Sequence, residues 1–494
     1  MIRVRRLALM IVVVAAAAVP IAAGVGEAST GGRAAAGSGA AAQTPAWGSA
    51  REVPGLAAFN KYGPSQVNSI SCPSPGNCTA GGFYNDRSRR QQAFVVSEVH
   101  GIWPTASRIP RLAALNQGGG AAVTSLSCAS VGNCSAGGAY LDRLRRGQPF
   151  VANEVDGVWH AAMRVPGIPA LGRIGRAAVS SVSCASAGNC SAGGSYGSVV
   201  GISWPFHAFV VSEVHGIWRS AIQVPGVAAL NVGMDAEVSS VSCSAAGDCS
   251  ASGAYTDRAG NLHGFLVGQA GGRWHRAIKV AGIASRAQIG SAGVRSLSCA
   301  SAGNCSFGAD YQDSSGGSQA YVVSEVRGGW RTALVVPGTA ALNKGGNAEV
   351  LSVSCPSAGN CGAGGYYANG LARTQPFVVS QVKGTWRKAV QVQGAAARNE
   401  AGFASVITIS CASAGNCSAG GDYLDHYGHY QAFVLSEVSG TWQMSLEVPG
   451  TAALNQGGDA QVSTLSCGSP GKCSAGGHYT GKNGYMQAFV VSES

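Results

Sequence analysis

The fold is decided by a stretch that runs from residue 123 to residue 159 and reads VTSLSCASVGNCSAGGAYLDRLRRGQPFVANEVDGVW. Five residues separate two cysteines in it, Cys128 and Cys134, and the aromatic residues Tyr140 and Trp159 follow. These markers return along the chain at an almost constant interval. Such self-similarity is the signature of a repeat architecture, so the repeat is defined first.

The chain contains eight copies of this unit. The first cysteines of successive C-x5-C pairs lie 56 residues apart, except for one step of 59 between Cys184 and Cys243, where the three extra residues lie between Tyr196 and Trp218. Charged residues make up 12% of the chain and apolar residues 46%, which argues against wholesale disorder. The repeats begin at Trp47, Trp103, Trp159, Trp218, Trp274, Trp330, Trp386 and Trp442.

Each repeat reads as four short β-strands. Residues 123–128 and 134–140 are small and β-branched, residues 94–99 show a third strand, and a glycine turn leads to a fourth over residues 103–109. No apolar stripe with helical spacing lasts for three turns. Four strands in about 56 residues is the size of a β-propeller blade, so we predict an all-β fold, an eight-bladed β-propeller of four-stranded blades.

Two fragments at opposite ends of the sequence predict how the ring closes. The last repeat reaches its third strand at Glu493 without a Gly-x-Trp strand, whereas residues 47–53 form a fourth strand with no preceding partners. Together they complete one blade. We predict a ring closed by this N-terminal outer strand, because an open solenoid would need distinct capping repeats.

Residues 1–28 are typical of a secretory signal peptide. Arg3, Arg5 and Arg6 precede an apolar run over residues 7–23, and Ala28 or Ala23 is the expected cleavage point. An uncleaved anchor helix is the alternative, since 17 apolar residues are borderline for spanning a bilayer. Residues 29–46 are a low-complexity linker, and residues 47–494 form the propeller. We therefore expect a secreted, extracellular protein.

The sixteen cysteines are expected to form eight disulfides, one in each repeat. A C-x5-C pair that flanks a hairpin loop places the two Cβ atoms opposite each other on adjacent strands. Zinc binding and redox catalysis are the alternatives, but structural zinc favours C-x2-4-C pairs with a second pair nearby. The predicted bridges are Cys72–Cys78, Cys128–Cys134, Cys184–Cys190, Cys243–Cys249, Cys299–Cys305, Cys355–Cys361, Cys411–Cys417 and Cys467–Cys473.

The segment Gln92-Ala-Phe-Val-Val-Ser-Glu-Val-His-Gly-Ile-Trp103 resembles two known repeat types. Its start, which reads His207-Ala208-Phe209 in another repeat, is similar to the HAF repeats of bacterial extracellular proteins. Its Ser-x3-Gly-x-Trp ending resembles a degenerate Asp-box, the turn between the third and fourth strands of sialidase-type propellers. The Asp is absent here, the Trp comes one residue early and the Thr has no counterpart. The resemblance implies a propeller and no activity.

Most residues that could act in catalysis or metal binding recur at the same position in successive repeats, which favours packing roles. The glutamates Glu98, Glu154, Glu213, Glu325, Glu437 and Glu493 are in register, as is one tyrosine of each repeat. The histidines show no metal spacing, and we interpret Asp425-His426-Tyr-Gly-His429 as a solvated loop. We expect no cofactor, no metal site and no catalytic residue. A glycoside hydrolase or lyase would have to use out-of-register acids such as Asp235, Asp422 or Asp459.

Arginine is distributed unequally among the otherwise similar repeats. Loops between the second and third strands lie on the same face of a propeller as the connections between blades, and in the first two repeats both kinds of loop are rich in arginine. Its planar guanidinium suits phosphate, sulfate or carboxylate groups, and a solvated surface is the alternative. The predicted ligand-binding residues are Arg87, Arg89, Arg90, Arg111, Arg143, Arg145, Arg146, Arg173 and Arg176.

These patterns favour a secreted binding module over an enzyme. We expect a monomer that binds glycans or anionic cell-surface polymers, with no sequence-specific nucleic-acid binding and no membrane attachment after signal cleavage. An extracellular glycoside hydrolase or lyase with a central site, and a structural protein of the cell envelope, are the alternatives. The sequence does not identify the ligand.

Overall fold

The computed structural model describes residues 46–60, 63–171, 174–198, 205–280, 282 and 294–493. The predicted signal peptide and all of the predicted linker except Ala46 lie outside the described residues. The described strands form eight antiparallel sheets that follow one another along the chain. Each sheet packs against the next and the eighth packs against the first, so the protein is an eight-bladed β-propeller, as predicted.

The first three strands of each blade run antiparallel in sequence order, with the first strand nearest the ring axis. The inner strands are Ser65–Ser74, Ala122–Ser130, Ile174–Ser186, Ala236–Ala245, Ser296–Ser301, Ala348–Ser357, Ala404–Ser413 and Ala460–Ser469. The second strands are Asn77–Asn85, Asn133–Leu141, Asn189–Ser198, Asp248–Thr256, Asn304–Gln312, Asn360–Ala368, Asn416–Leu424 and Lys472–Thr480. The third strands are Gln91–Ser97, Gly147–Val155, Phe206–Val214, Leu262–Ala270, Ser318–Val326, Thr374–Val382, Tyr430–Val438 and Met486–Ser492.

The outer strand is split into two short pieces, not continuous as predicted. In the second blade a residue between the pieces, His160, donates its N–H to Asn153 O at 2.8 Å, which holds the interruption against the third strand. In the first blade the outer strand consists of single bridges, Val99 to Ile102 and Val95 to Ser107. The paired pieces are Val158–Trp159 with Met163–Arg164, Ile217–Trp218 with Ile222–Gln223, Arg273–Trp274 with Ile278–Lys279, Gly329–Trp330 with Leu334–Val335, Thr385–Trp386 with Val390–Gln391, and Thr441–Trp442 with Leu446–Glu447.

One-turn helices lie in the connections between blades. They are too short to be visible as an apolar periodicity in the sequence. In the described residues these are the α-helices Leu56–Phe59, Leu112–Leu115, Val227–Leu230, Thr339–Leu342, Ala395–Arg398 and Thr451–Leu454, and the 3₁₀ helix Ile168–Leu171.

The N-terminal segment closes the ring as predicted. Arg51–Glu52 pairs antiparallel with the last strand, Arg51 opposite Val490 and Glu52 opposite Phe489, and Trp47 bridges to Glu493. The next residues continue the closure, since Asn60 Nδ2 donates to Gln487 Oε1 at 2.8 Å. The eighth blade therefore takes its outer strand from the opposite end of the chain.

The Gly-Gly pair of the second strand explains why the blades stack closely. A Cβ atom on Gly82 would lie 1.9 Å from Gln66 O of the same blade's inner strand, and one on Gly81 would lie 2.9 Å from Val123 Cγ1 of the next blade. The valine side chain occupies the space that a side chain at Gly81 would fill. This packing accounts for glycine on strand faces that are covered on both sides.

Serine hydroxyls join the inner strands of neighbouring blades. Leu126 N and Cys128 N donate to Ser69 Oγ and Ser71 Oγ at 2.9 and 3.0 Å. The same contacts recur around the ring, and at its closure Cys72 N donates to Ser466 Oγ at 3.0 Å. These bonds satisfy backbone donors that an isolated blade would expose at its inner edge.

The in-register glutamates join the outer parts of the blades. In the seam between the eighth and first blades, Ser492 Oγ and Ser474 Oγ donate to Glu98 Oε1 and Oε2 at 2.7 and 3.1 Å. Trp103 Nε1 donates to Ser492 Oγ at 3.1 Å. A glutamate or glutamine and a tryptophan of one blade thus contact the preceding blade, which agrees with a packing role for the repeated glutamates.

Replacing seam glutamates with glutamine is expected to raise the melting temperature at pH 7. Burial raises the pKa of Glu213, Glu437 and Glu493. A carboxyl whose pKa is higher in the folded state than in the unfolded state stabilises the fold fully at pH values below its unfolded-state pKa. This stabilisation is lost as the pH rises through its folded-state pKa. The triple Glu→Gln variant should therefore lose less stability than the wild type between pH 5 and pH 8, measured by thermal denaturation.

The chain itself supplies the reverse control for this experiment. Gln269 occupies the same seam position, and its Nε2 donates to Ser212 Oγ at 2.9 Å. Gln269→Glu should lower the melting temperature at pH 7 and leave it nearly unchanged at about pH 4, where the new carboxyl is largely protonated. A triple variant no more stable than the wild type at pH 7 would contradict the assignment of these carboxyls as buried acids.

All eight predicted disulfides are present. In each blade the bridge links the end of the inner strand to the start of the second strand, with Cα atoms 3.9 to 4.1 Å apart. The cysteine side chains are buried. Disulfides of this kind persist in oxidising compartments, the setting in which a secreted protein folds.

Candidate functional site

The antiparallel order of the strands sorts the loops onto two faces of the ring. Loops between the second and third strands, and the connections from one blade to the next, lie on one face, called here the loop face. Turns between the first and second strands, and between the third and fourth, lie on the other, called the turn face. In the second blade, for example, Gly157 N of one turn donates to Gly132 O of the other at 2.9 Å.

Aspartates shape the arginine loops of the first two blades. Ser88 N and Arg90 N donate to Asp86 Oδ1 at 2.9 and 3.0 Å, and Leu144 N and Arg146 N bind Asp142 Oδ1 in the same way. Asp257, Asp313 and Asp425 cap the corresponding loops of other blades. The two aspartates are therefore turn formers, and their carboxylates are largely used by backbone N–H groups.

Three of the predicted arginines occupy backbone positions where most other blades use glycine. Arg89 and Arg145 have φ angles of 57° and 58°. The corresponding residues in other blades are Gly260, Gly316, Gly428 and Gly484, and Ala372 in the sixth blade, which has a φ of 57°. Arg111 has a φ of 62° before the helix Leu112–Leu115, at a position that is glycine before the other α-helices. A left-handed conformation costs a side-chain-bearing residue about 1–2 kcal/mol. The backbone therefore does not favour arginine at these positions.

Most of this arginine charge is not neutralised by ion pairs. Arg87, Arg89, Arg90, Arg143 and Arg145 are exposed in the two loops, and among the predicted arginines in the described part of the chain only Arg146 forms an ion pair, with Asp142 Oδ2 at 2.8 Å. Arg176 is exposed near the start of the third blade's inner strand, and Arg173 lies outside the described residues. These described arginines, with Arg111, are called here the arginine sector of the loop face.

Arg108 adds a further cation that the sequence analysis did not single out. Its guanidinium carbon lies 4.8 Å from the centre of the Phe59 ring. Arg108 also lines a cleft of about 140 Å³ on the loop face, together with Asp86 and Gln92. A lone arginine in an outer strand gives no sequence signal, because its position beside the first loop depends on the way the blades stack.

A second group of symmetry-breaking residues lies at the loop-face end of the inner and second strands, in the fifth and sixth blades. Arg295 Nε contacts the Glu349 carboxylate across the blade seam, and Tyr366 OH donates to Glu349 Oε2 at 3.0 Å. Burial and the Glu349 charge raise the pKa of Asp310 to about 7. These four residues, the acidic cluster, place two carboxyls and one arginine at a single seam.

Sequence reasoning missed the acidic cluster. It treated the tyrosines as residues of the repeat, but Tyr366 is a second tyrosine of its repeat and lies off the register. Asp310 and Glu349 stand 39 residues apart and meet only because neighbouring blades stack. Comparison of equivalent positions would have found them, since the position of Tyr366 is Phe83, Ala139, Ser195, Ala254, Asp310, Asp422 and His478 in the other repeats.

Two of the acids proposed for catalysis lie in the seventh and eighth blades. Asp422 accepts hydrogen bonds from Ser405 Oγ and Gln461 Nε2, both at 2.9 Å, and burial raises its pKa to about 6. Asp459 lies 3.5 Å from His478 Nε2, and this contact lowers the pKa of Asp459.

The third of these acids, Asp235, lies in the fourth blade, where burial raises its pKa. The structure brings Asp422 and Asp459 together at the seam between the seventh and eighth blades, where burial and the Asp459 charge both raise the pKa of Asp422, and it leaves Asp235 apart from them.

The described residues contain no group of three or more His, Cys, Asp or Glu side chains arranged to hold a metal ion. In the cluster at residues 425–429, Asp425 Oδ1 accepts the backbone N–H groups of Tyr427 and His429 at 2.9 Å. This is the loop-capping role that aspartate has in other blades. In the part of the chain that the structure describes, no helix has both the length and the apolar character needed to cross a bilayer.

The comparisons with known proteins reach only distant similarities. The chain matches no family model, and no curated protein matches it. Among solved structures, a six-bladed lectin of Aleuria aurantia is 13% identical over 66% of this chain and 95% of the lectin, with a TM-score of 0.34. The Hadza microbial sialidase Hz136 is 11% identical over 70% of this chain and 73% of the sialidase, with a TM-score of 0.35.

A third structure, the acylaminoacyl peptidase of Pyrococcus horikoshii, is 7% identical over 79% of this chain and 53% of the peptidase, with a TM-score of 0.42. None of these similarities is close enough to carry an argument about function.

Proposed function

We propose that this protein is a secreted, non-catalytic binding module that recognises anionic polymers, such as acidic glycans of a cell surface, through the arginine sector. The observation that carries the proposal is the use of arginine at Arg89, Arg111 and Arg145, at positive-φ positions where other described blades use glycine or, at Ala372, alanine. Adjacent loops on one rigid face can contact several groups of a repeating polymer at once, which raises avidity.

The charge balance of the loops supports this proposal. Six exposed arginines lie in two neighbouring loops, one of them paired with Asp142, and the two aspartates of these loops bind backbone N–H groups. Arginine binds sulfate, phosphate and carboxylate through two parallel hydrogen bonds, which favours acidic groups over neutral ones.

Removal of the loop arginines is expected to weaken binding to a polyanion at least tenfold. The variant carries Arg89→Gly and Arg145→Gly, matching the other blades, and serine at positions 87, 90, 143 and 146. Heparin and purified teichoic acid serve as probes in calorimetric titrations over a range of salt concentrations. Because fewer counterions are released, the dependence of affinity on salt should also become shallower.

A matched control lowers the net charge by the same amount elsewhere. It replaces six exposed basic residues of other blades with serine, at Arg219, Arg273, Arg327, Arg331, Lys383 and Lys388. This control should retain most of the binding. Equal losses in the two variants would mean nonspecific attraction to a basic protein, and no binding by the wild type at about 0.15 M salt would also reject the proposal.

The acidic cluster favours one alternative function, a glycoside hydrolase or lyase. Asp310, with a pKa of about 7, can hold a proton at neutral pH, and Glu349 is a second carboxyl beside it. Such a pair is the minimum that acid-assisted cleavage of a glycosidic bond requires. Release of reducing sugar from a bound glycan, abolished by Asp310→Asn and by Glu349→Gln, would replace the binding-module proposal with this one.

A further inference from the structure

Arginine recurs at the same four positions in the first two blades. Three of these positions lie in the loop between the second and third strands, and the fourth lies in the outer strand. No other repeat has arginine or lysine at more than two of the four positions. The first member of each pair belongs to what is called here the first set, and the second member to the second set. The pairs, each 56 residues apart, are Arg87 and Arg143, Arg89 and Arg145, Arg90 and Arg146, and Arg108 and Arg164.

The loops that carry the two sets have the same hydrogen-bonded frame. In each loop the Oδ1 atom of the capping aspartate accepts two backbone N–H groups, at 2.9 and 3.0 Å in both blades. The Oδ2 atom accepts from the side chain of a glutamine in the third strand, Gln92 at 3.0 Å and Gln148 at 3.2 Å. Because Arg89 and Arg145 also have nearly the same φ, 57° and 58°, equivalent arginines leave the two loops from equivalent backbone positions.

The outer-strand arginines lie beside these loops in the same way. Arg108 lines the cleft that contains Asp86. Burial raises the pKa of Tyr84 and of Tyr140, and the charges of Arg108 and Arg164, respectively, oppose this rise. Each arginine therefore lies near the in-register tyrosine of its own blade. Both arginines are exposed, and neither forms an ion pair with any residue that the structure describes.

The two sets point the same way around the ring. One blade step of the propeller carries the first set onto the second, so the sets are arranged head to tail and are not related by a two-fold axis. The units of a linear polymer also follow one another head to tail, whereas a single anion can occupy only one set. Residues 197–205, the corresponding loop of the third repeat, contain no arginine or lysine. The repetition therefore ends after two blades.

We propose that the two sets bind two equivalent acidic units of one linear polyanion, one unit at each set, and that a chain too short to reach both sets binds weakly. This inference rests on the proposed function and defines its ligand as a polymer with a repeated acidic group. Each guanidinium can bind a sulfate, phosphate or carboxylate through two parallel hydrogen bonds. Once one unit is bound, the linked second unit is held at a high effective concentration, which raises the affinity by about 10²–10⁴ when the chain spans both sites.

The test uses size-defined heparin oligosaccharides, from the disaccharide upward, and two variants that each lack one set. Affinities are measured at about 0.05 M salt, where contacts to short chains are strongest, by NMR titration for short chains and by calorimetry for long ones. Glycine and glutamine occur at the substituted positions 89 and 108 in other repeats, so both variants should fold, and thermal denaturation checks this. The first variant carries Arg87→Ser, Arg89→Gly, Arg90→Ser and Arg108→Gln, and the second carries Arg143→Ser, Arg145→Gly, Arg146→Ser and Arg164→Gln.

The expected result depends on chain length. A short chain should bind either variant at most about twofold more weakly than the wild type, because one of two equal sites remains. A chain that spans both sets should bind each variant at least about tenfold more weakly, and the two losses should be alike. A matched control that lacks four exposed basic residues of other blades should keep the gain of affinity with chain length. It carries Arg219→Ser, Arg273→Ser, Arg327→Ser and Lys383→Ser.

The inference and the proposed function fail separately in this experiment. A loss confined to one variant, or equal losses for short and long chains, would overturn the two-set inference and leave polyanion binding by the loop face in place. No binding of any oligosaccharide or of heparin to the wild type would reject the proposed function itself. A loss in the matched control as large as in the variants would also reject it, because binding would then depend on net charge alone.

Discussion

Deletion of residues 47–54 is expected to lower the melting temperature by about 5 °C or more. The deletion removes the outer strand of the eighth blade, in which Arg51 and Glu52 pair with Val490 and Phe489. It also removes two buried side chains, Trp47 and Val53, which are 8% and 1% exposed. Loss of a buried tryptophan alone costs about 3–5 kcal/mol. Because the entropy of unfolding grows with chain length, each kcal/mol corresponds to about 1 °C in a propeller of this size.

The control is deletion of residues 29–45, which should change the melting temperature very little. A peptide of residues 46–55, added in excess to the shortened protein, should restore much of the lost stability, because a ligand that binds only the folded state stabilises it by mass action. An unchanged melting temperature after removal of residues 47–54 would contradict closure by this strand.

Refolding in the presence of a reductant is expected to fail, whereas refolding with the disulfides intact should succeed. Each bridge closes a loop of seven residues, which contributes about 2 kcal/mol in the chain-entropy model. Eight such bridges exceed the whole stability of a typical domain, about 5–15 kcal/mol. The measurement is recovery of a cooperative thermal transition after denaturation in guanidinium with and without dithiothreitol.

The native protein should resist the same reductant without denaturant. The bridged cysteines are at most 8% exposed, so exchange requires opening of the blade. Replacement of one pair by serine, Cys243→Ser with Cys249→Ser, should cost about 2 kcal/mol and leave the ring folded. A reduced chain that refolds to the native melting temperature would show that the bridges are dispensable.

The repeat made the fold predictable. Eight copies of one pattern predict the same strands, so a wrong assignment in one repeat is corrected by comparison with the others. The two incomplete repeats predicted the closing strand, Arg51–Glu52. The split of the outer strand was not predicted, because it follows from the backbone conformation between its two pieces, where His160 N donates to Asn153 O, and not from a change of composition.

The candidate sites were predictable only in part. The arginine loops were visible because like charges stand close together in the sequence. Asp310 and Glu349 were not, because their meeting depends on the stacking of the fifth and sixth blades.

The closing strand also determines when the ring can close during synthesis of the chain. Arg51 is made long before its partner Val490. At about 5–20 residues per second, translation of the intervening chain takes on the order of 20–90 s. The first strand of the propeller to be made is therefore the last to find its neighbour. Any chaperone or export factor that holds the nascent chain has to keep that short segment available until Val490 has been made.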